Sequence, residues 1–400
     1  MAARRFRTLQ DAPVGSHRVL VRVDFNVPME QGRVADDTRL NAALATIAEL
    51  RQRGARVILI SHLGRPEGQP VASMSLEPLA QPLSALVGAP VAFATDCIGP
   101  RAIQAVDELG DGDLLLLENL RFHPGEETND PTFVRALASL GDLYVNDAFS
   151  ASHRAHASTE GLARRLPAYA GRALEGELLA LEQALGSPER PIIGLVGGAK
   201  ISTKIDLLNN LVGKLQYLAI AGAMANTFLY AQGHDIGASR CEKERSNTAM
   251  AILATARTAG CRVLLPTDAV VAEAAEPGVA SRVVDLSHIR RDEAIFDLGP
   301  ASLQQIIDAL DASKTLIWNG PIGVFEVPPF DEGTLRIARR AAELTTSGKL
   351  ITVAGGGDTA AALNRAGLAQ ALTFVSTAGG AFLEWMEGKT LPGIAALEWP

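Results

Sequence analysis

The chain is short of cysteine, of basic excess and of long apolar runs, and each shortage removes a class of protein. Its three cysteines, Cys97, Cys241 and Cys261, are odd in number and far apart. That excludes a disulfide framework or a zinc knuckle and suits a reducing compartment. With 37 basic and 45 acidic residues, the formal net charge is −8, the wrong sign for a general nucleic-acid or membrane-surface binder. No uninterrupted apolar run reaches the ~18 residues that cross a bilayer. The opening MAARRFRTLQDAP has no signal-peptide core. The expectation is a cytoplasmic protein that engages neither nucleic acid nor membrane. Low-complexity tracts and short repeats are also missing. So are a GxxxxGK(S/T) loop, an HRD-type loop, and a GxGxxG after the first strand, where VRVDFNVP stands instead.

What remains is 400 residues, 47% of them hydrophobic, enough for two or three domains at ~150 residues each. Strand-like runs at Arg18–Val27, Arg56–Ser61, Val91–Ala94, Asp113–Glu118 and Asp142–Asn146 alternate with helical patterns. The same alternation returns at Pro191–Val196, Tyr217–Ile220, Arg262–Pro266, Thr315–Trp318, Leu350–Ala354 and Leu372–Val375. Strands separated by helices of this length predict parallel sheets covered on both faces. The fold class is α/β, with two doubly wound, Rossmann-like lobes. The glycine-poor stretch Ala173–Leu185 reads as the helix joining them. The boundaries are 1–172 for the first lobe, 173–186 for the joining helix, 187–385 for the second lobe, and 386–400 for a tail packing back on the first.

Ligands of such sheets sit at the carboxyl ends of the strands. In the second half these ends carry Gly197-Gly198-Ala199-Lys200 with Lys204, Asn319-Gly320-Pro321, Gly355-Gly356-Gly357-Asp358-Thr359, and Ser376-Thr377-Ala378-Gly379-Gly380. Strand, glycine turn, Asp/Thr and helix in KLITVAGGGDTAAA offer free N–H groups and a helix N-terminus to a phosphate. Asp358 adds a carboxylate suited to Mg²⁺ on a nucleotide. The plainer alternative is a tight strand-to-helix turn with Asp358 as its N-cap.

The first half is different. Arg22, Asp24 and Asn26 alternate with Val21, Val23, Phe25 and Val27, so the polar side chains share one face. His62 and Arg65 in SHLGRP, Arg121 in LENLRFHPGE, and Arg154 in SHRAHAS each follow an apolar run, and Arg39 opens a helix after DDT. Singly, each arginine could be a surface ion pair, and His153 and His156 could be ordinary core or surface residues. Together they describe an anion-binding crest on an acidic protein. A nucleotide lobe facing a small-polyanion lobe suits phosphoryl transfer by positioning and charge. No carboxylate stands out as a free base, which favours a carboxylate acceptor and an acyl-phosphate product. A two-lobed anion-binding protein without catalysis and a dehydrogenase are the rival readings.

The chain resembles the phosphoglycerate kinase family. VRVDFNVP, DDTRL, SHLGRP, LENLRFHPGE, SHRAHAS, GGAKISTK, WNGPIGVFE, AGGGDT and STAGGAFLE occur in that family's order over essentially the whole chain. The resemblance implies Mg²⁺-dependent, reversible transfer between 1,3-bisphosphoglycerate and ADP, giving 3-phosphoglycerate and ATP, by a monomer whose hinge closes. It implies that Arg22, Asp24, Asn26, Arg39, His62, Arg65, Arg121 and Arg154 bind the phosphoglycerate. Arg39, Lys204, Gly356 and Gly357 would act on the phosphoryl group in flight. Gly197, Lys200, Lys204, Gly299, Asn319, Glu326, Gly356, Gly357, Asp358 and Thr359 would hold the nucleotide, with Asp358 on the metal, Glu326 on the ribose and Gly299 by the adenine. Ser376-Thr377 would belong to the hinge. The chain departs from the family pattern at Ala221-Gly222-Ala223, where two methyls are expected to tighten the base pocket. It departs again at Ala378, and at Ser150-Ala151 before His153.

Overall fold

The computed structural model describes residues 6–376 and 378–398, so Thr377, expected at the hinge, lies outside the described residues. By internal contacts the chain divides into two units, Met1–Leu178 with Thr390–Pro400, and Leu179–Lys389.

The first unit contains β1 (Arg18–Arg22), β2 (Met29–Glu30), β3 (Arg33–Val34), β4 (Arg56–Ile60), β5 (Val91–Ala94), β6 (Leu114–Leu117), β7 (Leu143–Asn146) and β8 (Ala168–Ala170). Six of them form a parallel sheet in the order β5-β6-β4-β1-β7-β8. β4, β6 and β7 read as apolar runs because both faces are covered, and every residue of β6 and β7 is buried. The helix Thr38–Gln52 buries Leu40, Ala43, Ile47 and Leu50, a stripe at helical spacing, in the core that also holds Val19, Val21, Val57 and Leu59. Order reverses between β1 and β7, and the residues following those strands lie at that switch point.

The second unit contains β9 (Ile192–Val196), β10 (Tyr217–Ile220), β11 (Arg262–Leu264), β12 (Asp268–Ala272), β13 (Arg282–Asp285), β14 (Ala294–Leu298), β15 (Thr315–Asn319), β16 (Ile351–Gly355) and β17 (Phe374–Ser376). Its parallel sheet runs β11-β10-β9-β15-β16-β17, reversing between β9 and β15. Trp318, fully buried, centres the core.

Both sheets match the expected fold class, and most boundaries fall within two residues of expectation. The first strand does not extend to Val27: it ends at Arg22. Its alternation nevertheless persists, with Val23, Phe25 and Val27 buried and Asp24 and Asn26 only half-buried. An antiparallel sheet, β13-β12-β14, was not anticipated. Nor was β8, whose three residues follow Pro167. The expected helix Ala173–Leu185 is helical over Arg172–Leu181 and then widens through Glu182–Gly186, where Ser187 N–H donates to Glu182 O five residues back. Within the first unit the tail forms a short helix, Pro392–Ala395, and Gly393 N–H donates to Ser152 O at 2.9 Å.

Candidate active site

In the first unit the crest is assembled around Arg22, which is 1% exposed at the end of β1. A buried guanidinium must place its protons. Arg22 Nε donates to Ser158 Oγ at 2.9 Å, Nη1 donates to Val23 O, and Nη2 donates to His62 Nδ1 at 2.9 Å. Ser158 Oγ in turn donates to Glu126 Oε1 at 2.5 Å, and Ser158 N–H donates to Glu126 Oε2 at 3.0 Å. Glu126 is fully buried, and burial raises its carboxyl above the usual range. Arg22 and Glu126 therefore bracket one serine hydroxyl beneath the crest.

Because His62 accepts from Arg22 through Nδ1, its proton sits on Nε2, and the ring offers a donor rather than a charge. Burial, then Arg22, Arg121 and Arg39, hold His62 well below the ordinary histidine value. His156 falls to about 4, again through burial first and then Arg121, Arg22 and Arg154. Arg121 is itself lowered by burial and by Arg22 and Arg154. These groups form one electrostatic cluster with more positive charge than it compensates, the condition of a site built for an anion.

Local turns aim the remaining cations. Arg39 Nη1 donates to Asp24 Oδ2 at 2.8 Å and to Asn26 O at 3.0 Å, while Ser150 Oγ donates to the same Asp24 oxygen. Asn26 Oδ1 accepts from Gly64 N–H at 2.8 Å, and Gly64 O accepts from Arg121 Nη1 at 2.8 Å. Asp24 and Asn26 thus spend their side chains fixing Arg39 and the SHLG turn. Arg154 Nε lies 3.2 Å from His153 Nε2. Arg65 is exposed beside this turn. Glu126 and Ser158 are the last residues of LENLRFHPGE and SHRAHAS, where nothing marks them as a pair, and Ser150 shows in the sequence only as a departure from the family pattern. A Ser-x-x-x-x-x-x-x-Ser spacing or an isolated glutamate has no signal until the chain has folded.

In the second unit the switch point between β9 and β15 is closed by Lys204. Its Nζ donates to Gly197 O at 2.6 Å, Asn319 O at 3.0 Å and Asn319 Oδ1 at 2.6 Å. Burial lowers its amine to about 8, against the opposing pull of Asp358. All three ammonium protons are placed inside the protein, whereas Lys200 is exposed. Asn319 Nδ2 donates to Gly355 O at 2.9 Å, and Gly320 N–H donates to Thr359 Oγ1 at 2.7 Å. Lys204, Asn319 and Thr359 therefore tie the three strand-end turns together. The turn at Gly356 adopts φ +101° and opens the helix Gly357–Arg365. Nothing lies within 4 Å of where a Gly357 side chain would begin.

A cavity of about 610 Å³ opens beside these turns, lined by Gly198, Ala223, Phe296, Pro321, Glu326 and Asp358 among others. Ala223 reaches it, but Ala221 is fully buried in the core, so one methyl and not two can narrow the pocket. Gly299 is buried at the start of helix Pro300–Asp311 and does not line the cavity. A side chain there would run into the Asp268 carboxylate. Asp297, which lines the cavity, went unnoticed in the sequence; burial raises its carboxyl to about 7.

Two doubly wound units, one carrying a cation cluster that its carboxylates Asp24, Glu126 and Glu127 only partly offset and the other a glycine-turn surface with a carboxylate at its cavity, define a small-molecule phosphotransferase. Residues 9–389 match the family model described as "Phosphoglycerate kinase". A curated phosphoglycerate kinase from Caulobacter vibrioides (strain NA1000 / CB15N) is 62% identical over 393 residues, covering 98% of this chain and 99% of that protein. One from Sinorhizobium medicae (strain WSM419) is 56% identical over 394 residues, with 98% and 99% covered. The solved phosphoglycerate kinase from Coxiella burnetii superposes with a TM-score of 0.91 at 39% identity, with 98% of each chain covered. The chain belongs to the phosphoglycerate kinase family. Its reaction is the reversible transfer of a phosphoryl group between 1,3-bisphosphoglycerate and ADP, a step of glycolysis.

Proposed function

We propose that the cluster of Arg22, Arg39, His62, Arg65, Arg121 and Arg154 binds 3-phosphoglycerate or 1,3-bisphosphoglycerate, with Asp24 and Asn26 as its frame. The observation that supports this most is the arrangement of Arg22, Arg121 and Arg39 around His62, a histidine held neutral. His62 Nε2–H can donate to a phosphate or carboxylate oxygen without a proton first being taken up.

ATP or ADP occupies the second unit at its strand-end turns. Helix Gly357–Arg365 turns its N-terminus to the phosphates and open Gly357 allows a close approach. Lys200 is free to reach a phosphate, and Glu326, exposed at the cavity, to reach the ribose. Lys204 and Gly197, Asn319, Gly356 and Thr359 act by holding the turns in register. For Lys204 to touch the phosphoryl group it must give up a bond to Gly197 or Asn319. Gly299 acts on the base only through its neighbours.

Asp358 is exposed at the cavity, and an unburied carboxylate beside bound phosphates fits a hard, oxygen-seeking cation such as Mg²⁺. Bound with the nucleotide, Mg²⁺ would neutralise phosphate charge. Transfer needs the two ligands in contact, so closure about 173–186 and the Ser376–Thr377 region completes the site. The acceptor carboxylate needs no base, and Arg39 stabilises the charge in transit. The enzyme acts as a cytoplasmic monomer; all three cysteines are unpaired.

The test couples 3-phosphoglycerate to ATP turnover, with and without Mg²⁺, on wild type and Arg39→Ala. Losing one preorganised cation costs ~10²–10³ in kcat. Metal-dependent turnover that collapses in Arg39→Ala, with both ligands still bound in calorimetry, is expected. Full turnover in that variant would remove Arg39 from the transfer step.

A further inference from the structure

The loop after β5 and the turn after β6 bring together three side chains that phosphoryl transfer does not use. Asp96 and Cys97 follow β5, and His123 ends the turn Leu120–Phe122. One ligand atom from each lies within 4.8 Å of the other two. His123 Nε2 is 2.8 Å from Asp96 Oδ1. That oxygen also accepts from the backbone N–H groups of Cys97 and Ile98, at 2.7 and 3.4 Å, which sets the direction of the carboxylate. The Phe133 ring lies against the imidazole with centroids 5.4 Å apart. Cys97 is 1% exposed, whereas the Asp96 and His123 side chains are 39% and 30% exposed. A sulfur therefore forms the floor, and a nitrogen and an oxygen form a rim that solvent reaches.

Thiolate, imidazole and carboxylate are the donors of a tetrahedral zinc ion, at about 2.0–2.3 Å from the metal and hence ~3.3–3.8 Å from one another. The three ligand atoms need move by no more than about that difference from 4.8 Å to close on an ion. Sulfur and imidazole select against Mg²⁺. We propose that Asp96, Cys97 and His123 form a Zn²⁺-class metal site with water in the fourth position, separate from the phosphate chemistry. Binding releases the Cys97 thiol proton to solvent. The imidazole proton that Nε2 donates to Asp96 moves to Nδ1 through solvent, which frees the Nε2 lone pair for the metal, so the His123–Asp96 hydrogen bond is exchanged for two metal bonds. Because the thiol proton must leave, affinity rises with pH. His123 stands two residues after Arg121, so the loaded site would also steady the turn carrying that crest cation.

Co²⁺ on the full-length wild type is the first probe, because it needs no variant to fold. A thiolate-to-cobalt charge-transfer band at one equivalent, erased by Zn²⁺, is expected. Cys97→Ser should lose the band and bind Zn²⁺ at least ~10-fold more weakly, and His123→Gln likewise. Cys261→Ser should behave as wild type. Saturating Co²⁺ without the band means that any bound metal sits on other side chains, and overturns the assignment. So does Cys97→Ser binding Zn²⁺ as tightly as wild type.

Discussion

At the scale of single residues, a buried cation acts only as far as something aims it, and for Arg22 that is Ser158, which accepts from its Nε and donates to Glu126. Arg22, His62, Arg121 and Arg154 each follow an apolar run, and a cation at a strand end is visible in one dimension. Glu126 and Ser158 do not stand out in one dimension, and their meaning comes only from Arg22 Nε meeting Ser158 Oγ. Replacing Ser158 by Ala leaves a buried Arg22 Nε without its acceptor and removes a donor to Glu126. An orphaned buried group costs about 1–3 kcal/mol. Urea unfolding should show a loss of that size. Calorimetry should show 3-phosphoglycerate binding weakened by roughly the ~10-fold that 1.4 kcal/mol represents, since the guanidinium that orients His62 is loosened. Destabilisation with undiminished phosphoglycerate affinity would make Arg22 a purely structural cation.

At the scale of elements, the repeating strand–helix pattern was readable because buried parallel strands are continuous apolar runs bounded by turn residues. In the sheet β13-β12-β14 one strand does not stand out that way: β13 is four residues with only Val284 buried. Glycines were readable as a class but not by purpose. The turn GGGDT contains two kinds. A side chain at Gly355 would run into the Phe382 ring, whereas one at Gly357 would meet nothing within 4 Å and Gly357 has no positive φ. Gly355→Ala should therefore destabilise the second unit by the ~1–3 kcal/mol typical of overpacking, seen as a lower thermal midpoint without ligand. Gly357→Ala should leave that midpoint within about 1 °C, or raise it slightly through helix propensity, yet weaken ADP binding because the added methyl stands at the helix N-terminus. Equal ADP affinity in Gly357→Ala and wild type would show that the phosphates do not pass over Gly357.

At the scale of the molecule, pH acts on the first unit through opposing buried groups, none of whose burial the sequence could disclose. His62 and His156 are held neutral, the latter at about 4 against an ordinary 6.5. Their folded values are depressed, so the unfolded chain binds more protons between about pH 4 and 6.5, and stability rises with pH there. Asp147 behaves oppositely. Burial lifts it from 3.8 to about 7, while Thr46 and the Ala173 and Leu174 N–H groups pull it down. Over that interval the folded form holds the extra proton, so stability falls as pH rises through about 7. Both N–H bonds from the start of helix Arg172–Leu181 end on Asp147 Oδ1, an acceptor that Asn retains. Asp147→Asn should thus keep the helix cap and remove only the titration. Between about pH 4 and 7 the variant's stability should climb more steeply than wild type by about 1.4 kcal/mol per pH unit, with no further divergence above pH 7. Urea midpoints of the first unit across that range measure it. Parallel profiles would mean that Asp147 is ionised in the folded protein throughout, its charge held by Thr46 and the helix N–H groups against the cost of burial.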